Sequence, residues 1–162
     1  MDVTGTNPAA HAGTNITALR FNTAGPFTVT LEGTHTIDTD VILMTANAGA
    51  GNALITGGTL RGTAGGGLAI GQHNTAGSLE IASTIVNNTT ASGVVKSGGG
   101  LLTLSGTNTY TGMTHVGEGV LRAADGAGHS ATLASSAMAT CASLRIGLGV
   151  SFMVSMSIGK CR

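Results

Sequence analysis

Residues Val94–Ala123 read VVKSGGGLLTLSGTNTYTGMTHVGEGVLRA, and their pattern is the most informative in the chain about its fold. Leucine and valine alternate in it with threonine and other small residues, and glycine or asparagine stands at nearly every break. A period of two is typical of a β-strand with one buried face. Glycine and asparagine accept the left-handed backbone conformations that tight corners require. The stretch therefore predicts short strands joined by tight corners.

The composition of the whole chain favours a narrow core. The chain has 162 residues and is 41% hydrophobic, but only 2% aromatic and 9% charged, with 27 glycines and no tryptophan. An ordinary globular domain carries about a quarter charged residues. Small and medium aliphatic side chains fill a thin, repetitive interior better than a thick globular one. A flexible glycine-rich linker is the alternative interpretation, and the regular alternation argues against it.

The charges are few, balanced and scattered. Seven Lys and Arg match seven Asp and Glu, spread singly between Asp2 and Arg162. Without a basic stripe or an amphipathic segment, neither nucleic acid nor a membrane surface is an expected partner. Residues 1–13 have neither the charged nor the apolar region of a signal peptide. Cys141 and Cys161 lack metal-binding spacing, so a disulfide and two free thiols both stay open.

Short strands separated by turn residues are predicted along most of the chain. No window before residue 129 has a helical period, which excludes alternating strands and helices. The continuous apolar run at 41–44 predicts a strand covered on both faces. The predicted strands are ITALRF (16–21), FTVTL (27–31), VILM (41–44), ALIT (53–56), GLAI (67–70), SLEIAS (78–83), GVVK (93–96) and LLTLS (101–105).

A repeat is visible in the spacing of one short pattern. A glycine followed two residues later by leucine recurs at Leu60, Leu79, Leu102 and Leu121, with separations of 19, 23 and 19 residues. A period near twenty with strand character is the signature of a solenoid, in which each coil buries its apolar face against its neighbours.

Residues 94–123 resemble the autotransporter passenger-associated repeat, also called the autotransporter-associated β-strand repeat. Met113 and His115 depart from its pattern, where glycine and a small polar residue are usual. The matching positions, which we take as structural, are Lys96, Gly98, Gly100, Leu102, Leu104, Ser105, Gly106, Asn108, Thr109, Tyr110, Thr111, Gly112, Thr114, Val116, Gly119 and Leu121.

The resemblance implies an all-β fold, a right-handed parallel β-helix or β-solenoid from the exported passenger of a bacterial surface protein. It implies a location at the cell surface or outside the cell, associated with the outer membrane. Partners would be host or cell-surface glycans or proteins, reached through the parent protein. Such proteins carry a signal sequence and a membrane barrel, so the chain is expected to be a fragment of a longer protein.

Three regions are expected. Residues 1–15 form an irregular leader, residues 16–128 form the coils, and residues 129–162 form a tail of different composition. The tail is interpreted as a solenoid cap or, preferably, as sequence from a shifted reading frame. Its apolar run, Ile146–Ile158, is shorter than the roughly 20 residues of a membrane-spanning helix. Exposed strand edges and zero net charge predict self-association.

No residue is assigned a catalytic, cofactor-binding or metal-binding role. Asp38 and Asp40 share one strand face and suit calcium or paired-carboxylate chemistry, but a solvated strand face is favoured. Asn108 and Tyr110 are interpreted as packing and hydrogen-bonding at a corner. The five histidines, which lack metal-ligand spacing, are His11, His35, His73, His115 and His129.

Two classes of function remain. The leading hypothesis is a non-catalytic structural or adhesive segment of a surface β-helix. The alternative is a lyase or glycosidase that acts on polysaccharides from a β-helix scaffold. Such an enzyme needs clustered acids and aromatic platforms for sugar, whereas this chain has seven scattered acids and four aromatic residues.

Overall fold

The structure, a computed structural model, describes residues 2–4, 7–12, 15–37, 41–123, 133–134 and 144–146. In 7–12, 133–134 and 144–146 it describes the backbone alone. Within these ranges every regular element is a β-strand except a 3₁₀ turn at Ala46–Ala48. No helix of the described residues is long and apolar enough to cross a membrane.

Fifteen strands follow one another along the described chain. In order they are Asp2–Val3 (β1), Asn7–Ala12 (β2), Leu19–Phe21 (β3), Phe27–Thr36 (β4), Val41–Met44 (β5), Ala53–Arg61 (β6), Leu68–Gln72 (β7), Ser78–Ile81 (β8), Thr84–Ile85 (β9), Val94–Ser97 (β10), Leu101–Leu104 (β11), Thr114–Val116 (β12), Val120–Ala123 (β13), Leu133–Ala134 (β14) and Leu144–Ile146 (β15).

The strands form two parallel sheets that the chain visits in turn. Sheet A has the order β1-β3-β5-β7-β10-β12-β14, and sheet B the order β2-β4-β6-β8-β11-β13-β15. Each passage through both sheets is one coil, stacked on the next by parallel pairing. The predicted all-β parallel solenoid is confirmed. β1 and β2 fall within the expected leader, and β14 and β15 within the expected tail, while the domain boundaries themselves stay a prediction.

A third, narrow ladder follows a corner in sheet B. The pairing of β4 with β6 shifts register between Leu31 and Thr34. At this corner Gly57 and Gly58 have φ values of 72° and 41°, in the left-handed region that glycine tolerates. Beyond it His35 pairs with Leu60, and Leu60 pairs with Ile85 of β9.

The coils differ in length more than the sequence repeat predicts. One column of sheet B runs through Phe27, Ala53, Leu79, Leu102 and Leu121, at separations of 26, 26, 23 and 19 residues. Leu60 does not belong to this column, because it lies in the third ladder opposite His35 and Ile85. The assignment of Leu60 to the same repeat position as Leu79 is therefore wrong.

The core is a stack of aliphatic side chains between the sheets. Val29, Ile55, Ile81 and Leu104 form a second inward column of sheet B, and none is more than 1% exposed. The rings of Phe21 and Phe27 pack with centroids 5.7 Å apart.

Two strand predictions differ from the structure. In β5, Ile42 and Met44 are fully buried while Val41 and Leu43 are half-buried, so the prediction of a strand covered on both faces is wrong. Sheet A packs on the core with one face only, which restores the alternation usual for a half-buried strand. In the first predicted strand, only Leu19–Phe21 belongs to a sheet, while Ile16 makes an isolated bridge with Ile37.

Candidate functional site: the repeat coil

The repeat motif covers four strands, β10 to β13, and so contributes to two successive coils. Of the eleven non-glycine residues that match the family pattern, eight point into the solenoid. The motif side chains that are at most 6% exposed are Lys96, Leu102, Leu104, Asn108, Tyr110, Thr114, Val116 and Leu121. Thr103, between the two buried leucines of β11, is half-buried on the outer face.

The motif glycines lie where one coil touches the backbone of another. A Cβ added to Gly98, Gly100, Gly106 or Gly112 would collide with a carbonyl oxygen of the preceding coil, on Gln72, Asn74, Ser83 or Ser92 respectively. Gly98 and Gly119 also have φ values of 79° and 72°. These positions exclude larger residues because the coils approach within backbone contact.

Lys96 is the one charged side chain in the described interior. It is fully buried in the sheet A column, where Ile70 lies opposite it on one side and Val116 on the other. Its Nζ donates to the carbonyl oxygens of Gly98 at 2.6 Å, Glu118 at 2.9 Å and Ser97 at 3.4 Å. Burial lowers the pKa of Lys96 to about 8, opposed by the charge of Glu118.

Asn108 and Tyr110 tie the third ladder to its neighbours. Asn108 Oδ1 accepts the Ile85 N–H of the preceding coil at 2.8 Å. The Tyr110 hydroxyl lies 2.8 Å from Thr114 Oγ1, and burial raises the pKa of Tyr110. Asn108 Nδ2 and Ser83 Oγ are buried without a hydrogen-bond partner.

A polar group one coil before the motif was missed in the sequence. Gln72 Oε1 accepts the Asn74 N–H at 2.9 Å, and Gln72 Nε2 donates to Leu101 O at 3.2 Å. Asn74 Nδ2 donates to Gly49 O of the preceding coil at 2.7 Å. The only sequence signal for these contacts is the asparagine three residues before Gly77, which is typical of a tight corner.

Asn87 was also missed. Its Oδ1 accepts the Thr111 N–H at 3.0 Å, and its Nδ2 donates to Thr111 Oγ1 at 2.9 Å, so it joins one coil to the next at the surface. This pairing could not be predicted from local sequence spacing, because Thr111 lies 24 residues further along the chain.

Among the remaining candidate residues, those whose side chains the structure describes are not brought together into a site. Asp38, Asp40 and His129 lie outside the described residues, as does the side chain of His11. His35 is buried, with Nε2 3.0 Å from Glu32 O, whereas His73 is exposed. Over the part of the chain that the structure describes, no three His, Cys, Asp or Glu side chains form a group able to hold a metal ion.

The fold and the repeat coil define the class of protein: a parallel β-solenoid whose repeat residues serve coil stacking. Residues 94–123 match the model of the family described as Passenger-associated-transport-repeat. The resemblance inferred from the motif is therefore confirmed for these residues.

One curated relative extends the similarity beyond the repeat. Over 110 residues, 67% of the chain, the sequence is 36% identical to "Adhesin BmaC autotransporter" of Brucella suis biovar 1 (strain 1330). The matched segment spans 3% of the length of that relative. No solved structure matches the chain.

Proposed function

We propose that the chain is a non-catalytic structural or adhesive segment of an autotransporter-like passenger, displayed at the bacterial surface or released outside the cell. The observation that carries the proposal is the 36% identity to an autotransporter adhesin over 110 residues. The repeat at 94–123 supports it, because that family belongs to exported passengers. Self-association through exposed strand edges stays a prediction.

The different roles of the inward and outward residues of the coil support an adhesive function. Inward residues hold the coils together, and the outward positions are free to meet a partner. In the repeat, Val95, Met113 and Val120 are 43%, 51% and 38% exposed. Apolar groups of this exposure suit contact with glycans or proteins of another cell surface. The sparse charge predicts that such contacts depend weakly on salt.

Bead adhesion tests the proposal. The purified chain is coupled to fluorescent beads, and bead binding to host cells is counted against albumin-coated beads. We expect the chain to bind above albumin, and beads carrying the core variant Leu104→Asp to bind less, because that substitution disrupts the coil. The surface variant Met113→Asp should also reduce binding while the chain stays folded, because it replaces one of the exposed apolar side chains of the outer face. Pretreating the cells with glycosidase or with protease distinguishes a glycan partner from a protein.

Two outcomes would contradict the proposal. If beads with the folded chain bind no better than albumin beads, the adhesive role is wrong. If the chain releases new reducing ends from bacterial or host polysaccharides, the non-catalytic assignment is wrong and the polysaccharide-acting enzyme replaces it.

A further inference from the structure

Two polar atoms in the interior of the solenoid have no hydrogen-bond partner. Over the residues that the structure describes, Ser83 Oγ and Asn108 Nδ2 are the only buried side-chain nitrogen or oxygen atoms of this kind. Both residues are 1% exposed. Folded proteins pair nearly all of their buried polar groups, with protein or with ordered water, because an unpaired group keeps the full cost of leaving solvent. These two atoms therefore point to a third group that binds both.

Ser83 and Asn108 lie in neighbouring coils and meet at one corner, where sheet B passes into the third ladder. Gly106 stacks directly on Ser83, since a Cβ added to Gly106 would collide with the Ser83 carbonyl oxygen. Asn108 follows two residues later, and its Oδ1 accepts the Ile85 N–H at 2.8 Å. The side-chain amide of Asn108 thus reaches back to the coil that contains Ser83. Its unpaired Nδ2 belongs to that same amide, two residues from Ser83 along the ladder.

The inward residues at this corner are small. On the sheet B side of the corner, Ile81 and Leu104 lie opposite each other and fill the interior with branched side chains. The next inward positions of the same two coils are Ser83 and Gly106, both buried. A hydroxymethyl group and a glycine occupy much less of the interior than isoleucine and leucine. A small polar molecule suits such a place better than an apolar side chain does.

We propose that Ser83 Oγ and Asn108 Nδ2 form a buried site for one water molecule that bridges the two coils. An amide nitrogen only donates hydrogen bonds, whereas a hydroxyl both donates and accepts. The water oxygen accepts from Asn108, and its second bond goes to Ser83. A metal cation does not suit the site, because the amide nitrogen offers it no lone pair. Two polar partners are the least that a buried water requires. The proposal concerns coil stacking and is independent of adhesion.

A crystal structure of the full chain, at a resolution that shows ordered water, tests the site directly. We expect one peak of solvent density within about 2.7–3.2 Å of both Ser83 Oγ and Asn108 Nδ2. A direct hydrogen bond between these two atoms would overturn the proposal, because they would then need no third group. The absence of density between them would overturn it as well.

Urea titration of Ser83→Ala tests the site in solution. If a water bridges the coils, removing the hydroxyl takes away one of its partners, and we expect a lower urea midpoint than in the wild type. If the hydroxyl has no partner in the folded protein, its removal relieves a desolvation cost and the midpoint rises. Ser97→Ala is the matched control at an exposed position and should leave the midpoint unchanged. An unchanged or higher midpoint in Ser83→Ala would overturn the proposal.

Discussion

Leu79 and Leu102 lie directly opposite each other in neighbouring coils of sheet B, and neither side chain reaches solvent. Leu121 continues the same column on the far side of Leu102. Each coil thus completes the burial of its neighbour, since one coil alone has no second layer to cover its apolar face. The stability of the solenoid therefore depends on inward positions, which gives the first prediction.

Leu104→Asp should destabilise the protein far more than Thr103→Asp. Leu104 is 1% exposed, and its replacement removes a buried side chain worth roughly 2–5 kcal/mol and adds an unpaired carboxylate in an apolar site. Thr103 lies on the outer face of the same strand, so its replacement should cost about 1 kcal/mol through strand propensity. Urea titrations of both variants give the comparison. Equal losses of stability in the two variants would show that Leu104 does not face a buried core while Thr103 faces solvent.

Gly106→Ala should cost about 1–3 kcal/mol through overpacking, because the new Cβ would collide with the Ser83 carbonyl oxygen. Gly99→Ala is the matched control in the same coil. Its nearest neighbours would be Glu118 Oε1 at 3.5 Å and Thr75 Cγ2 at 3.6 Å, which are ordinary contacts. That variant should be unchanged or more stable by about 0.4–1 kcal/mol. Thermal melts that rank the two variants in the opposite order would contradict the close approach of the coils at Gly106.

Much of this fold could be predicted from the sequence, because the patterns that indicate its strands and corners are local. The apolar run VILM gives β5 with its observed bounds, and the alternation in LLTLS gives β11 to within one residue, because neither pattern requires knowledge of distant residues. The motif glycines could be recognised in the same way, since their spacing within one repeat fixes the corners. The third ladder could not, because Leu60 follows a glycine in the same pattern as Leu79 but pairs at a different place.

The hydrogen-bond partners of the buried polar groups could not be predicted from the sequence either. Lys96 donates to three backbone carbonyls, and every residue carries such an acceptor, so no residue type marks the partner. Asn108 likewise accepts from a backbone N–H of the preceding coil. Such contacts depend on where the coils stack, and the irregular coil lengths hide that alignment.

Asn108→Ala should cost about 1–3 kcal/mol, because it leaves the buried Ile85 N–H without its acceptor. Thr107→Ala, at the exposed neighbouring position, should change stability by no more than about 0.5 kcal/mol. Hydrogen exchange gives a local measurement: the Ile85 amide should lose protection in Asn108→Ala and keep it in Thr107→Ala. Unchanged protection at Ile85 in Asn108→Ala would contradict the bond between the coils.

Lys96 should make the stability of the protein rise with pH. Its pKa is about 8 in the folded state against 10.5 for a free lysine, because burial disfavours the charged form. The unfolded chain therefore binds more protons between pH 8 and 10.5, and the free energy of unfolding increases across that window. The lowering of the Lys96 pKa from 10.5 to about 8 corresponds to a stability penalty of about 3 kcal/mol. This penalty is present in full below pH 8 and is relieved as the pH approaches 10.5.

The measurement is a series of urea titrations from pH 7 to 10 on the wild type and on Lys96→Met. We expect the wild type to gain stability relative to Lys96→Met as the pH rises, because only the wild type loses a buried charge. Tyr110, whose pKa burial raises, is present in both proteins, so its contribution cancels. A wild type that loses stability relative to Lys96→Met above pH 8 would show that the three carbonyl contacts outweigh the desolvation of the ammonium.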